Sequence, residues 1–257
     1  MITLIHISNK MSIIFSIEGN IGSGKSTLFK LLKKSIDPQE IKSKRIIFLE
    51  EPVDEWSSIQ DKTSGKTILD LFYGNMKDYA FSFQMMAYIT RLKNIQDTIK
   101  KYPNSIIITE RCLYTDKNIF AKMLYDDGIM KSVEYQIYSK WFSHFIKDFP
   151  KIYYIFLNTK PNICLERIQK RNRGGENNIA SDYLIKLDRY HHEWLYRFNT
   201  ASQSGLQRYS MLELSGDKQK ENTLLNYKDE LLHIHQFINA YTKQTFRYLE
   251  NSCSTKY

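Results

Sequence analysis

A glycine-rich segment near the start of the chain has the residue types and the spacing needed to bind phosphate. Three glycines are followed directly by Lys25 and Ser26, which satisfies the pattern G-x-x-x-x-G-K-[S/T]. Glycines let backbone N–H groups turn toward phosphate oxygens, the lysine adds positive charge, and the serine hydroxyl can hold magnesium. The predicted triphosphate-binding loop consists of Gly19, Asn20, Ile21, Gly22, Ser23, Gly24, Lys25, Ser26 and Thr27.

Acidic residues follow two apolar runs further along the chain. The run 46–49 is followed by Glu51, and the run 105–109 is followed by Glu110 and Arg111. The carboxyl ends of parallel strands lie at the edge of the sheet where α/β proteins bind ligands. We therefore predict that these side chains flank one crevice, although Glu51 taken alone also fits a solvated charge at a strand end.

A long helix or a helix pair is predicted over residues 69–102, which carry two patterned faces. Gln84 and Arg91 share one face, on which an amide and a guanidinium group could read the edge of a nucleobase. Taken alone, the same residues also fit an exposed helix face. The other face is an apolar stripe that we predict to be core, made of Tyr79, Phe83, Met86, Ile89, Leu92, Ile95 and Ile99.

An arginine-rich segment follows the helix predicted to begin at Pro161. Arg167, Arg171 and Arg173 precede Gly174 and Gly175, which also fits ordinary capping at a helix C-terminus. Because the chain carries a phosphate-binding loop, we favour a lid whose arginines close over the phosphates. A later loop containing Asp217 is predicted to pass the base of the nucleotide.

The elements that must position these residues alternate as strand and helix along the chain. This order predicts an α/β fold of the P-loop NTPase type, with a parallel five-stranded sheet, helices on both faces and an arginine-rich lid. We expect one domain over residues 1–257, with 1–11 as a flexible extension and 250–257 as a frayed tail.

Composition narrows the classes of partner. The formal charge is +9, which fits nucleic acid, a triphosphate site or a solvated basic surface, but no RRM, KH or zinc-finger pattern is present. Three widely spaced cysteines without a CxxC pair argue for a reducing compartment and against a cysteine metal site. No apolar run approaches the roughly 18 residues of a membrane span. We expect a cytoplasmic protein that binds neither nucleic acid nor membrane.

Six separated segments together resemble the deoxyribonucleoside kinase family, which includes deoxycytidine, deoxyguanosine and mitochondrial thymidine kinases. They follow the order of that family between Ile17 and Leu195, and they read IEGNIGSGKST, EPVDEW, SFQMMAYITRL, ERCLYTDKNIFAKMLYDDG, CLERIQKRNRGGEN and YLIKLDRYHHEWL. Two features depart from the family pattern: Cys112 replaces a serine, and Gly174 with Gly175 replaces part of a more acidic lid.

The resemblance implies transfer of the γ-phosphoryl group of ATP, or of another nucleoside triphosphate, to the 5′-hydroxyl of a deoxynucleoside. It implies Glu51 as general base, Arg111 near the 5′-oxygen, and a magnesium site at Ser26 and Glu110. For the substrate, it implies that Tyr73 and Glu176 hold the 3′-hydroxyl and that the base contacts Gln84, Trp56, Phe83 and Phe120. Arg167, Arg171 and Arg173 match the arginines of the lid.

The same resemblance bears on the choice of substrate. Ala87, Arg91 and Asp116 match the deoxycytidine and deoxyguanosine members, so we expect deoxycytidine, deoxyadenosine or deoxyguanosine rather than thymidine. Arg91 paired with Asp116 suits an exocyclic amino group or a purine edge and would crowd the thymine methyl group. A homodimer is implied as well. The alternatives are a nucleoside monophosphate kinase, such as a thymidylate kinase, and a non-catalytic nucleotide-binding protein.

Overall fold

The computed structural model describes residues 12–36, 44–147, 149–171, 176, 179–201, 211–218 and 223–254. The predicted extension over 1–11 therefore lies outside the described residues, as do Arg173, Gly174 and Gly175.

Five parallel strands form one sheet, namely β1 (Ile13–Glu18), β2 (Ile46–Leu49), β3 (Ile106–Glu110), β4 (Ile152–Asn158) and β5 (Met211–Ser215). Their order in the sheet is β2-β3-β1-β4-β5. The central strand β1 is buried along its whole length and pairs with both β3 and β4. A strand covered on both faces needs an unbroken apolar run, which explains the isoleucine-rich segments of this chain. The predicted five-stranded parallel sheet is confirmed.

Helices connect the strands. The segment after β3 is helical but irregular, because a π-helical turn, Asp116–Ala121, separates two short α-helices. In chain order the α-helices are α1 (Lys25–Ser35), α2 (Val53–Ser57), α3 (Ile68–Gly74), α4 (Met76–Lys101), α5 (Leu113–Thr115), α6 (Lys122–Asp126), α7 (Ser132–Phe145), α8 (Pro161–Arg171), α9 (Ser181–Ala201) and α10 (Lys228–Ser254).

Both faces of the sheet are covered, as predicted. On one face Phe15 packs in a cluster with Leu28 of α1 and Ile234 of α10. On the other face Ile14 contacts Ile95 of α4, and a separate cluster joins β4 to α8 and α9. No helix in the described part of the chain has both the length and the apolar character required to cross a bilayer.

On α4 the open question about the polar face is answered by burial, and one residue of the predicted apolar stripe was predicted wrongly. Gln84 and Arg91 are 2% and 4% exposed, whereas Ile89, predicted to be core, is 48% exposed. The reason is that α4 packs on the sheet through Ile95 and also on α3 and the π-helical turn, which buries the polar face. Ile89 points away from these neighbours. Apolar residues occur on several sides of α4, so periodicity alone could not select the buried side.

Candidate active site

A cavity of about 480 Å³ opens where the loops that follow β1, β2 and β3 meet. It joins the phosphate-binding loop to the acidic strand ends and to the polar face of α4. The predicted site residues that line it are Ile21, Gly22, Gly24, Lys25, Ser26, Thr27, Glu51, Trp56, Tyr73, Phe83, Gln84, Arg91, Glu110, Arg111, Asp116, Phe120, Arg167, Arg171 and Glu176. Of the other predicted residues that the structure describes, Gly19, Asn20, Ser23 and Asp217 do not line it.

The phosphate-binding loop depends on glycine for two distinct reasons. At Gly22 the backbone has a φ of 77°, and a Cβ atom would lie 2.4 Å from the carbonyl oxygen of Cys164. At Gly24 the φ of 103° places a left-handed residue directly before α1, and no side chain caps that helix. The first N–H groups of α1 are therefore available to an anion, as in other helix N-termini that bind phosphate.

Lys25 lies at the base of this loop. Its Nζ atom donates to the carbonyl oxygen of Asn20 at 2.6 Å, and the residue is 4% exposed. Burial, aided by the positive charge of Arg111, lowers the pKa of Lys25 to about 8, against the opposing effect of Glu110 and Glu51. Lys25 therefore loses its positive charge within the pH range over which enzyme activity is ordinarily measured.

The lowered pKa of Lys25 predicts an alkaline limit to activity. The charged lysine is present below about pH 8 and is lost above it, so kcat/KM for the triphosphate should fall with an apparent pKa of about 8. Steady-state rates measured across this range test the prediction. In the Lys25→Arg variant the guanidinium stays charged, so the fall should disappear even if the overall rate is lower. An unchanged alkaline limb in Lys25→Arg would assign it to another group.

Ser26 and Glu110 form a hydroxyl–carboxylate pair at the same end of the cavity. The Ser26 hydroxyl donates to Glu110 Oε1 at 2.8 Å, and both residues face the space beside Lys25. Oxygen ligands of this kind, few in number, fit magnesium, which keeps several water molecules and takes its other ligands from phosphates. The described residues contain no group of three or more His, Cys, Asp or Glu side chains that could hold a metal by themselves.

Glu51 receives hydrogen bonds from two arginines. Arg91 Nη2 lies 3.1 Å and Arg111 Nη1 lies 3.0 Å from its Oε1 atom. Burial alone would raise the pKa of Glu51, but the charges of Arg111 and Arg91 outweigh it and lower the pKa to about 2. Glu51 is therefore ionised at every pH at which the protein would be assayed.

Arg111 is held in an unusual backbone conformation. Its φ is 62°, and its N–H donates to the carbonyl oxygen of Ile17 at 3.1 Å. The guanidinium group lies over the ring of Phe120, 5.1 Å from the centroid. Its Nε and Nη2 atoms are buried and have no hydrogen-bond partner among the described residues. Positive φ in a non-glycine residue is costly and is common at functional sites.

The inner end of the cavity combines a polar edge with aromatic walls. Arg91 is fixed by three bonds, to Asp116 Oδ2 (3.0 Å), to the carbonyl oxygen of Glu110 (2.8 Å) and to Glu51. Gln84 faces the same space. The rings of Trp56 and Phe83 meet edge to face, with their centroids 5.5 Å apart. Such a slot, with flat apolar walls and donors and acceptors along one edge, suits a planar heterocycle.

Tyr73 and Glu176 line another part of the cavity wall. Burial, followed by the proximity of Tyr183 and Glu176, raises the pKa of Tyr73 well above its usual value, so its hydroxyl stays protonated. Glu176 also forms an ion pair with Arg171. A phenol donor near a carboxylate acceptor can hold a hydroxyl group between them.

The arginines that the sequence assigns to one lid have different surroundings. Arg167 donates to the carbonyl oxygens of Ser23 (2.9 Å), Gly216 (2.9 Å) and Lys218 (3.2 Å), so it joins the phosphate-binding loop to the loop after β5. Asp217 in that loop accepts a hydrogen bond from the backbone N–H of Lys160 instead of facing the cavity. Arg171 faces the cavity beside Glu176.

Three buried residues near the phosphate-binding loop were not identified from the sequence as supporting the site. Glu18, Cys112 and Thr115 are each 0% exposed and lie in contact at the end of β1. Burial raises the pKa of Glu18, while hydrogen bonds from Ser16 and Thr115 oppose the rise. The available signal was the presence of Ser16 and Glu18 in an otherwise apolar central strand.

The parallel sheet, the phosphate-binding loop and the carboxylate-bearing cavity define a P-loop phosphotransferase. The model of the deoxynucleoside kinase family matches residues 15–235, and the chain therefore belongs to the deoxynucleoside kinase family. The resemblance inferred from the sequence is confirmed, and the protein is an enzyme of this class.

Individual relatives agree with this assignment. Deoxycytidine kinase 2 of Gallus gallus is 34% identical over 200 residues, covering 70% of this chain and 73% of the relative. Deoxycytidine kinase 1 of Xenopus laevis is 30% identical over 243 residues, covering 84% and 89%. The mitochondrial deoxyguanosine kinase of Xenopus laevis is 30% identical over 225 residues, covering 80% and 82%.

Proposed function

We propose that the protein transfers the γ-phosphoryl group of ATP, or of another nucleoside triphosphate, to the 5′-hydroxyl of deoxycytidine or a purine deoxynucleoside in nucleotide salvage. The observation that carries the proposal is that one continuous cavity is lined by the groups for both substrates. It presents the phosphate-binding loop on one side and an ionised carboxylate, a hydroxyl-binding pair and a base-sized slot on the other.

Glu51 is the proposed proton acceptor. It is ionised and is aligned by Arg91 and Arg111 at the junction of the two parts of the cavity. A pKa of about 2 makes Glu51 a weak base, so the proton moves late, as the new O–P bond forms. The loose transition state of phosphoryl transfer requires little activation of the attacking oxygen, which fits a base of this kind.

Positive charge is supplied by Lys25, Arg111 and Arg171, which line the cavity. Lys25 neutralises charge on the phosphates, and Arg111 adds a second positive charge at the cavity wall, next to Glu51. Ser26 and Glu110 would hold magnesium, which when bound screens charge between the phosphate oxygens. Among the lid arginines we assign this function to Arg171 and Arg173, since Arg167 is engaged by three carbonyl groups.

The preference for an amino-bearing base follows from Asp116. Its Oδ2 atom is held by Arg91, while Oδ1 accepts no hydrogen bond from a described residue. A carboxylate oxygen attracts the amino group of cytosine or adenine but repels the carbonyl oxygen that thymine carries at the equivalent position. The relatives named for deoxycytidine support this choice.

A substrate panel tests the proposal. Purified protein is supplied with ATP and magnesium, and kcat/KM is measured for deoxycytidine, deoxyadenosine, deoxyguanosine, thymidine and thymidylate. We expect turnover of one or more of the first three, with thymidine the poorest nucleoside. Phosphorylation of thymidylate alone would favour a monophosphate kinase. ATP binding without turnover of any acceptor would favour a non-catalytic nucleotide-binding protein.

We also propose a homodimer that forms through α4 and α7. Val133, Ile137 and Trp141 recur at every fourth position of α7 and are 67%, 41% and 48% exposed. Ile89 of α4 is exposed as well, and α4 contacts α7 through the rings of Tyr88 and Tyr138. An apolar stripe of this length, unpartnered in a single chain, is typical of a surface that packs on a second copy.

A charge placed in this stripe should disrupt the dimer. In Trp141→Glu a carboxylate would have to be buried between the subunits, so the mass measured by light scattering during gel filtration should fall from dimer to monomer. Ile185→Glu is the matched control, because Ile185 is a 52% exposed apolar residue on α9. A monomeric wild type, or a Trp141→Glu protein that remains dimeric, would reject this interface.

A further inference from the structure

A fully buried carboxylate lies between the phosphate-binding loop and the segment that carries acceptor-binding side chains. Glu18 is the last residue of β1, directly before Gly19, and it is 0% exposed. Three side-chain groups converge on it. The hydroxyl of Ser16 donates to Oε1 at 2.5 Å, the hydroxyl of Thr115 donates to Oε2 at 2.7 Å, and the thiol of Cys112 lies beside them, 3.5 Å from Thr115 Oγ1.

Thr115 connects Glu18 to the acceptor side of the cavity. Its Oγ1 atom donates to Glu18 and accepts from the backbone N–H of Cys112 at 3.1 Å. Cys112 directly follows Arg111, and Thr115 directly precedes Asp116. One hydroxyl group therefore closes the turn whose two ends carry Arg111 and Asp116.

That turn has a conformation that requires support. Arg111 has a φ of 62°, and the π-helical turn begins at Asp116. Both features are rare and persist where the surroundings hold them. The support comes from the end of β1, because the Arg111 N–H donates to the carbonyl oxygen of Ile17 and Thr115 donates to the side chain of Glu18.

We propose that Glu18 is a positioning residue, which through the Thr115 hydroxyl holds the 111–116 turn in a fixed place relative to the phosphate-binding loop. Because Gly19 directly follows Glu18, the same strand end sets the position of the phosphates and of the groups that meet the nucleoside. This inference rests on the roles proposed above for Arg111 and Asp116. Glu18 does not line the cavity, so it acts through these residues and not on the substrate.

The test compares two buried threonines. Thr115→Val keeps the shape of the side chain but removes the hydroxyl that donates to Glu18 and accepts from the Cys112 N–H. We expect kcat/KM for the best deoxynucleoside to fall roughly tenfold to a hundredfold, which is the scale for small misplacements of a catalytic group. The Kd for a fluorescent ATP analogue, measured by titration, should change less than about threefold, because the loop itself is intact. Thr115→Ser restores the hydroxyl and should restore the rate.

Thr109→Val is the matched control. Thr109 is 2% exposed, and its hydroxyl has no hydrogen-bond partner among the described residues. Its replacement should leave both constants unchanged. Equal effects of the two substitutions, or a Thr115→Val protein with a lower Tm but an unchanged kcat/KM, would overturn the inference.

Two further variants keep the outcomes separate. If Thr115→Val does not fold, Glu18→Gln is measured by the same criteria, since the amide has one acceptor oxygen where the carboxylate uses two, one for Ser16 and one for Thr115. Asp116→Ala tests the proposed function directly. If Asp116→Ala lowers kcat/KM for the nucleoside and neither Thr115→Val nor Glu18→Gln does, the positioning inference alone fails. If Asp116→Ala has no effect, the proposed role of Asp116 fails.

Discussion

Replacement of Glu51 by glutamine is expected to lower kcat by roughly a hundredfold or more, which is the usual contribution of a general base. The amide has nearly the same shape but cannot take the proton of the 5′-hydroxyl. It also carries no charge to balance Arg91 and Arg111, both of which bond Glu51. Rapid-quench measurement of a single turnover isolates the chemical step from product release.

Glu50→Gln is the control for this substitution. Glu50 precedes Glu51, its side chain is 59% exposed, and it pairs only loosely with Lys33 at 3.6 Å. A surface pair of this kind contributes little, so kcat should be unchanged. Binding of the ATP analogue should be similar in both variants. If Glu51→Gln retained a normal single-turnover rate, Glu51 would not be the proton acceptor.

The second large effect is expected for the double variant Arg91→Met and Asp116→Ala. We expect the ratio of kcat/KM for deoxycytidine to that for thymidine to fall by roughly a hundredfold, equal to about 2.7 kcal/mol. The variant lacks Asp116, the proposed acceptor for the amino group of the base. It also lacks Arg91, whose positive charge holds Asp116 in place. Removing both partners avoids leaving one buried charge uncompensated, and Glu51 keeps its bond from Arg111.

Specificity in this variant is measured by competition, with both nucleosides present in one reaction. The control is Arg189→Met with Glu193→Ala, which removes a mostly exposed pair 3.6 Å apart on α9. The control should leave the ratio unchanged. An unchanged ratio in the Arg91 and Asp116 variant would mean that other residues select the base.

Local features of the site could be predicted from the sequence. The phosphate-binding loop is one continuous segment with a recognisable glycine spacing. The tight backbone turns at Gly22 and Gly24, which have positive φ, could therefore be predicted from the sequence. The meeting of Glu51 with Arg111 also followed from the sequence, because parallel strands end at a common edge. The five strands were recognisable because buried parallel strands are continuous apolar runs.

Other features depend on contacts between distant segments. Arg167 bonds the loop that contains Gly216 and Lys218, and nothing near Arg167 in the sequence indicates that contact. Ile89 and Arg91 lie two residues apart on α4, and tertiary packing decided that the arginine was buried and the isoleucine exposed. The π-helical turn at Asp116 likewise has no periodic signature, because its irregularity is supported from β1.

The three bonds of Arg91 have a consequence for the evolution and redesign of this enzyme. One guanidinium group contacts both Asp116, the proposed base-selecting residue, and Glu51, the proposed proton acceptor. If these proposed roles hold, the choice of base and the rate of the reaction both depend on Arg91. A lineage that exchanged Arg91 to accept a different base would disturb the alignment of Glu51 in the same mutational step. New specificities should arise first as slow enzymes, and their recovery should depend on later changes that realign Glu51 through Arg111.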